Sequence, residues 1–97
     1  MKELLIDAIH GRKALSLRYH GYSRTVEPHC VGTGPHGDMK LRCWQTEGGS
    51  VSGEMPGWKI LNVREIHSAS TTGTVFPNAR PGYKQGDKAM RHIDAQI

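Results

Sequence analysis

Leu15-Ser16-Leu17-Arg18-Tyr19-His20, followed by Gly21-Tyr22 and then Ser23-Arg24-Thr25-Val26-Glu27-Pro28, decides the fold class of this chain. Apolar and polar residues alternate with the period of a strand. Leu15, Leu17 and Tyr19 face a core, while Ser16, Arg18 and His20 face outward. Gly21-Tyr22 is the turn candidate, and residues 23–31 read as the returning strand, with Pro28 marking an edge or a bulge. A turn there places Leu17 opposite Val26 and Tyr19 opposite Arg24.

Working outward, Leu4, Leu5, Ala8 and Ile9 follow helical spacing, with Glu3, Asp7 and Arg12 on the other side. This predicts a helix over residues 2–11, with Gly11 as its end. Downstream, Gly32-Thr33-Gly34-Pro35-His36-Gly37-Asp38 has the composition of a hairpin loop. Met39-Lys40-Leu41-Arg42-Cys43-Trp44 is a third strand. If the tight turn is Pro35–Asp38, Gly34 pairs with Met39 and Cys30 lies opposite Cys43. Residues 47–57 are rich in Gly and Ser and predict a mobile loop. Trp58–Val63 is a fourth strand, and the β-branched residues before Phe76 supply a fifth. Pro77 and Pro81 break regular structure. Gly86-Asp87 reads as a helix start, with Ala89, Met90 and Ile93 forming an apolar stripe.

The 97 residues make one domain, with the barrel over about 13–76 and a C-terminal tail with a short helix over about 77–97. A helix followed by about five short strands predicts a mostly β fold, a small SH3-like or Sm-like five-stranded barrel with a short helix at each end. Thirteen Lys and Arg against nine Asp and Glu give a net charge of +4, which favours anionic partners. No stretch approaches the roughly 20 apolar residues of a membrane span, and acidic residues stand where a signal peptide needs an apolar core. We read the chain as cytoplasmic and its two cysteines as reduced thiols in strands.

The order Ala8-Ile9, Leu15–Tyr19, Gly21 and Arg24-Thr25-Val26-Glu27-Pro28 resembles the opening of a WYL domain. Gly37-Asp38-Met39-Lys40-Leu41 is similar to the strand that names that family, and only Leu41 of the naming Trp-Tyr-Leu is kept. Residues 58–66 look like its later strand and helical turn, with the charges of Arg64-Glu65 exchanged. The likeness covers roughly residues 4–76. It implies an Sm-like barrel used as a sensor of nucleotide-like or nucleic-acid ligands. Family members carry this barrel behind a DNA-binding winged helix, so the resemblance implies a regulatory module, of the kind that serves transcription regulation, working alone or with a separate partner.

The candidate ligand-binding residues are Tyr19, Arg24, Arg42, Lys59 and Arg64. Tyr19 and Arg24 offer a stacking ring beside a guanidinium fork; the alternative is a cation–π pair that stiffens the hairpin. Arg42, Lys59 and Arg64, with Arg18 and Lys40, would form a basic stripe if their strands are adjacent; otherwise they are solvated surface charges. Trp44 and Trp58 are either stacking platforms or core. His29, Cys30, His36 and Cys43 do not make a metal site, because His29 and Cys30 point to opposite faces of one strand. Cys43 with His29 and Glu27 would be an enzyme constellation, but Cys43 should lie on the other face. No catalytic residue, metal or cofactor is assigned. The leading expectation is a non-enzymatic module binding an anionic small molecule or single-stranded nucleic acid. A direct nucleic-acid-binding barrel and a protein-interaction module, by a protein partner or a homodimer, are the alternatives.

Overall fold

In the computed structural model, residues 1–51, 53 and 56–97 are described. Helix α1 (Lys2–Gly11) leads into β1 (Lys13–Tyr19), β2 (Tyr22–Thr33), β3 (Met39–Gly48) and β4 (Gly57–Asn62). A 3-10 turn (Val63–Glu65), β5 (Ile66–Val75) and β6 (His92–Gln96) complete the chain. The strands form one antiparallel sheet in the order β4-β3-β2-β1-β5, and β6 pairs with the end of β2. No helix among the described residues is long and apolar enough to cross a membrane.

The mostly β reading and the N-terminal helix stand, but the sheet is not closed into the expected barrel. Strands β4 and β5 are its two edges, and they do not pair with one another. The three-residue turn between them reverses the chain around Tyr19, whose hydroxyl accepts the Asn62 amide at 3.0 Å. An inward side chain of β1 thus bridges the edges that a barrel would have joined by backbone.

The amphipathic pattern of α1 is used as expected. Leu5, Ala8 and Ile9 are buried against Leu15, Leu17, Val26, Val31, Leu41, Cys43 and Leu61 of the inner sheet face. The helix runs through Gly11, and Arg12 is the left-handed residue that closes it, at φ 49°. Its amide satisfies the carbonyls of Ala8 and Ile9.

The β1–β2 turn is tighter than expected. His20 and Gly21, at φ 49° and 82°, make a two-residue turn whose paired positive angles match the strand twist. Leu17 therefore pairs with Arg24, Leu15 with Val26 and Tyr19 with Tyr22. The register moves by two residues, so every side chain keeps its expected face.

The β2–β3 pairing departs further. Pro28 lies opposite Cys43 and Cys30 opposite Arg42, leaving His29 as an extra, bulged residue. The bulge reverses the faces beyond it. Cys43 belongs to the inner core, whereas the Cys30 thiol meets the Met90 sulfur at 3.4 Å on the other side. The expected opposition of the two cysteines is thus lost.

The expected C-terminal helix is absent too. The Asp87 side chain accepts the Ala89 amide at 3.0 Å and caps a single turn. The chain then extends, because the Arg91 amide bonds the Thr33 carbonyl and β6 takes the free edge of β2. A helix of little more than one turn gains few hydrogen bonds for its nucleation cost, whereas the strand completes an existing ladder. Gly32 permits this closeness, since a Cβ there would strike the His92 carbonyl.

The mobility expected for residues 47–57 falls partly on Ser52, Glu54 and Met55, which lie outside the described residues. Its first part is packed. Gly48 sits at φ 96° against Ser23, a Cβ on Gly49 would enter the Tyr22 ring, and Ser50 is buried.

Burial pushes the Cys30 thiol up to about 11 and the Cys43 thiol up to about 12, so thiolate is scarce at neutral pH. Neither thiol is expected to react with a disulfide reagent in the native protein, and oxidation should not join them. Thiol titration with and without denaturant checks this: both groups should appear only on unfolding.

Candidate functional site

The outer face of β2, β3 and β4 carries the chemistry. Glu27 lies opposite Trp44, and Trp44 opposite Trp58, so one row crosses three strands. Residues 76–91 run over this row as an irregular strap. Its Arg80 guanidinium forms a two-pronged bond with the Glu27 carboxylate, at 2.6 and 3.0 Å. The same guanidinium stands 5.7 Å from the Trp44 ring centre. Further along, Arg42 holds Asp87 at 2.7 Å, and this bond keeps the Asp87 carboxyl below its ordinary range. The Trp58 indole donates to the Pro81 carbonyl at 3.3 Å.

The bulge places His29 between the row and the strap. The side chain is fully buried, with its ring 4.8 Å from Trp58, 5.4 Å from Phe76 and 5.1 Å from Tyr83. Nε2 accepts the Arg80 amide at 3.0 Å. Nδ1 lies 2.8 Å from the Glu27 carbonyl and must therefore be the protonated nitrogen of a neutral ring. The Tyr83 hydroxyl donates to the His29 carbonyl at 3.3 Å, and burial pushes that phenol up to about 12.

A cleft of about 460 Å³ opens between Trp58 and the strap, lined by Arg42, Tyr83, Lys84, Gln85, Asp87 and Lys88 among others. The rings of Trp58 and Tyr83 are 6.1 Å apart and inclined by 29°, a stacked aromatic pair that walls one side of the cleft. Lys84 and Lys88 are exposed at the rim, and no acidic side chain among the described residues pairs with either. A wall of π-surface beside exposed ammonium groups can hold a flat ring that carries negative charge.

The residues singled out from sequence are divided by the fold. Arg42 is in the cleft. Lys59 pairs with Cys43 and so belongs to the inner face, where its ammonium bonds the Ser50 hydroxyl at 3.2 Å. Arg64 is exposed on the 3-10 turn. Arg18 bonds Ser23 and Gly21 within its own hairpin, and Lys40 pairs with Asp38 at 2.8 Å. Strand β2 separates β1 from β3, so these cations do not form one stripe. Trp44 and Trp58 are half-buried on the outer face, outside the inner core.

Tyr19 and Arg24 do meet, despite the register shift. The guanidinium lies 5.0 Å from the Tyr19 ring centre and 5.7 Å from that of Tyr22. Arg24 is only 4% exposed, and its terminal nitrogens are used by the Gln45 side chain at 3.3 Å and the Tyr19 carbonyl at 3.0 Å. Among the described residues it has no carboxylate partner, and its Nε has no partner at all. Sequence reasoning missed Arg80, Tyr83, Lys84, Asp87 and Lys88. The only signal available was the Arg80-Pro81-Gly82-Tyr83 run, in which charge and an aromatic stand inside a turn signal.

Compared with family models, with curated proteins and with solved structures, the chain matches none.

The packing of Arg24 generates a stability expectation. Arg24→Ala removes the two-ring contact and both bonds, and Arg24→Lys removes the fork that makes them. Each variant should lose about 2 kcal/mol, or roughly 8–16 °C in melting temperature for a domain of this size. Thermal unfolding of both variants checks this; a Lys variant as stable as the parent would show that charge alone suffices.

Proposed function

We propose that this chain is a non-enzymatic binding module for an anionic, nucleotide-like ligand, and that the cleft beside Trp58 is where it binds. The observation that carries this reading is the Trp58–Tyr83 wall with Lys84 and Lys88 at its rim. A base would stack on the open side of that wall, and the two ammonium groups would meet its phosphates. Arg42 is committed to Asp87, so it orders the cleft floor more than it attracts the anion. The volume falls within the range of small-molecule sites and suits one nucleotide better than a strand. The resemblance to WYL domains, whose members are thought to sense nucleotides or nucleic acids, points to the same ligand class and to a regulatory role. On this reading Tyr19 and Arg24 shape the hairpin rather than touch the ligand.

Isothermal titration at low salt with ATP and with a ten-residue oligothymidylate tests the reading. ATP should bind, and the Lys84→Ala/Lys88→Ala double variant should bind it at least about tenfold more weakly, as the loss of two charge contacts implies. Both side chains are exposed, so the unliganded melting temperature should not change. Binding of the oligonucleotide alone, with a steep salt dependence, would favour direct single-strand recognition. Equal affinity in the double variant would remove the cleft from the site.

A further inference from the structure

We propose that His29 is a proton-operated latch for the strap of residues 76–91, so that mild acid releases the strap and dismantles the cleft that Tyr83 and Lys84 help to form. The cleft's role as a ligand site rests on the function proposed above; the latch itself does not.

The geometry makes one proton decisive. With Nδ1 committed to the Glu27 carbonyl, Nε2 must stay unprotonated to accept the Arg80 amide. A proton on Nε2 would set two donors facing each other at 3.0 Å, at a ring closed to bulk solvent. The Arg80 amide would lose its acceptor, and a new cation would appear beside the Arg80 guanidinium. The three aromatic neighbours, Phe76, Trp58 and Tyr83, surround the ring and shut it off from solvent. Arg80 is also where the strap holds Glu27, so the amide and the ion pair act at one residue.

The groups facing the ring set the direction of its titration. Burial lowers the affinity of His29 for a proton most strongly. On its own strand the Glu27 carbonyl and carboxylate act the other way, and from the strap the Arg80 charge lowers it again. Strand β4 contributes only the neutral Trp58, and the strap's Tyr83 stays protonated up to about 12. The net result lies below the ordinary value of 6.5. Because the closed state binds this proton more weakly than the open state, closure is fully supported above the ordinary value. It is lost as pH falls below that value.

Hydrogen exchange, corrected for the intrinsic pH dependence of amide rates, tests the latch on the whole unliganded chain. Between pH 7.5 and 5.0, protection across residues 76–91 should fall at least tenfold, while β1 and the first half of β2 keep theirs. His29→Gln, whose amide can donate to Glu27 and accept from Arg80 without titrating, should show no such fall. If that variant does not fold, ring nitrogen shifts of the parent serve instead: His29 should be neutral and Nδ1-protonated at pH 7.5, and its protonation should coincide with strap release. A strap that stays protected at pH 5.0, or that opens equally in His29→Gln or with the ring still neutral, overturns the latch. Titration of ATP across the same range separates the two readings. Strap release in a protein that never binds ATP defeats only the proposed ligand, and ATP binding with an unchanged strap defeats only the latch.

Discussion

Strand β2 is buried on both faces over residues 26–32, and no other strand of this sheet is enclosed in that way. A strand in that position must meet two differently built environments. On the inner side Val26 and Val31 join the apolar core under α1. On the outer side Glu27 and Cys30 meet the strap through an ion pair and a sulfur contact. The bulge at His29 reconciles the two. One extra residue changes which side the later side chains face, and it pushes an imidazole into the outer layer at the point where the strap crosses.

Everything on the outer face follows from that layer being small. It has no sheet or helix above it, only an irregular segment whose own backbone bonds among the described residues are confined to two turns. The strap's polar groups are therefore matched one by one to the sheet: the Arg80 amide to His29, the Arg80 side chain to Glu27 and Asp87 to Arg42. Besides its two buried apolar anchors, Phe76 and Met90, the segment is held by these few directional contacts, so each of them weighs heavily.

What could be read from the sequence was local. The helix at Lys2–Gly11 and the alternation of β1 follow from periodicity, and the faces of Tyr19 and Arg24 survived a register error because the error was two residues. The turn was misplaced because His20, which carries a side chain, takes a left-handed conformation usually left to Gly or Asn. Pro28 did mark irregularity, but nothing in the pattern says that the extra residue is its neighbour His29. Arg42 and Lys59 seemed to belong together because each alternates with apolar residues and so reads as outward-facing. They face opposite ways because Trp44 pairs with Trp58, a fact of register that composition does not hold. The strap was illegible for a simpler reason: its partners are about fifty residues away, and it has no period of its own.

The union of β2 with β6 also governs how this molecule comes into being. Sixty residues separate Cys30 from the Met90 that covers it, and the ladder between Thr33 and His92 closes a loop of similar length. Closing such a loop costs chain entropy before any contact returns it, so this pairing belongs to the late, slow part of folding. The β1–β2 hairpin, with its two-residue turn, can form long before. In the interval the far half of β2 presents Cys30, Val31 and Gly32 with one edge unpaired, a template for any other extended chain nearby. The nascent or partly folded protein is thus most vulnerable to aggregation at the segment that the finished structure buries most completely.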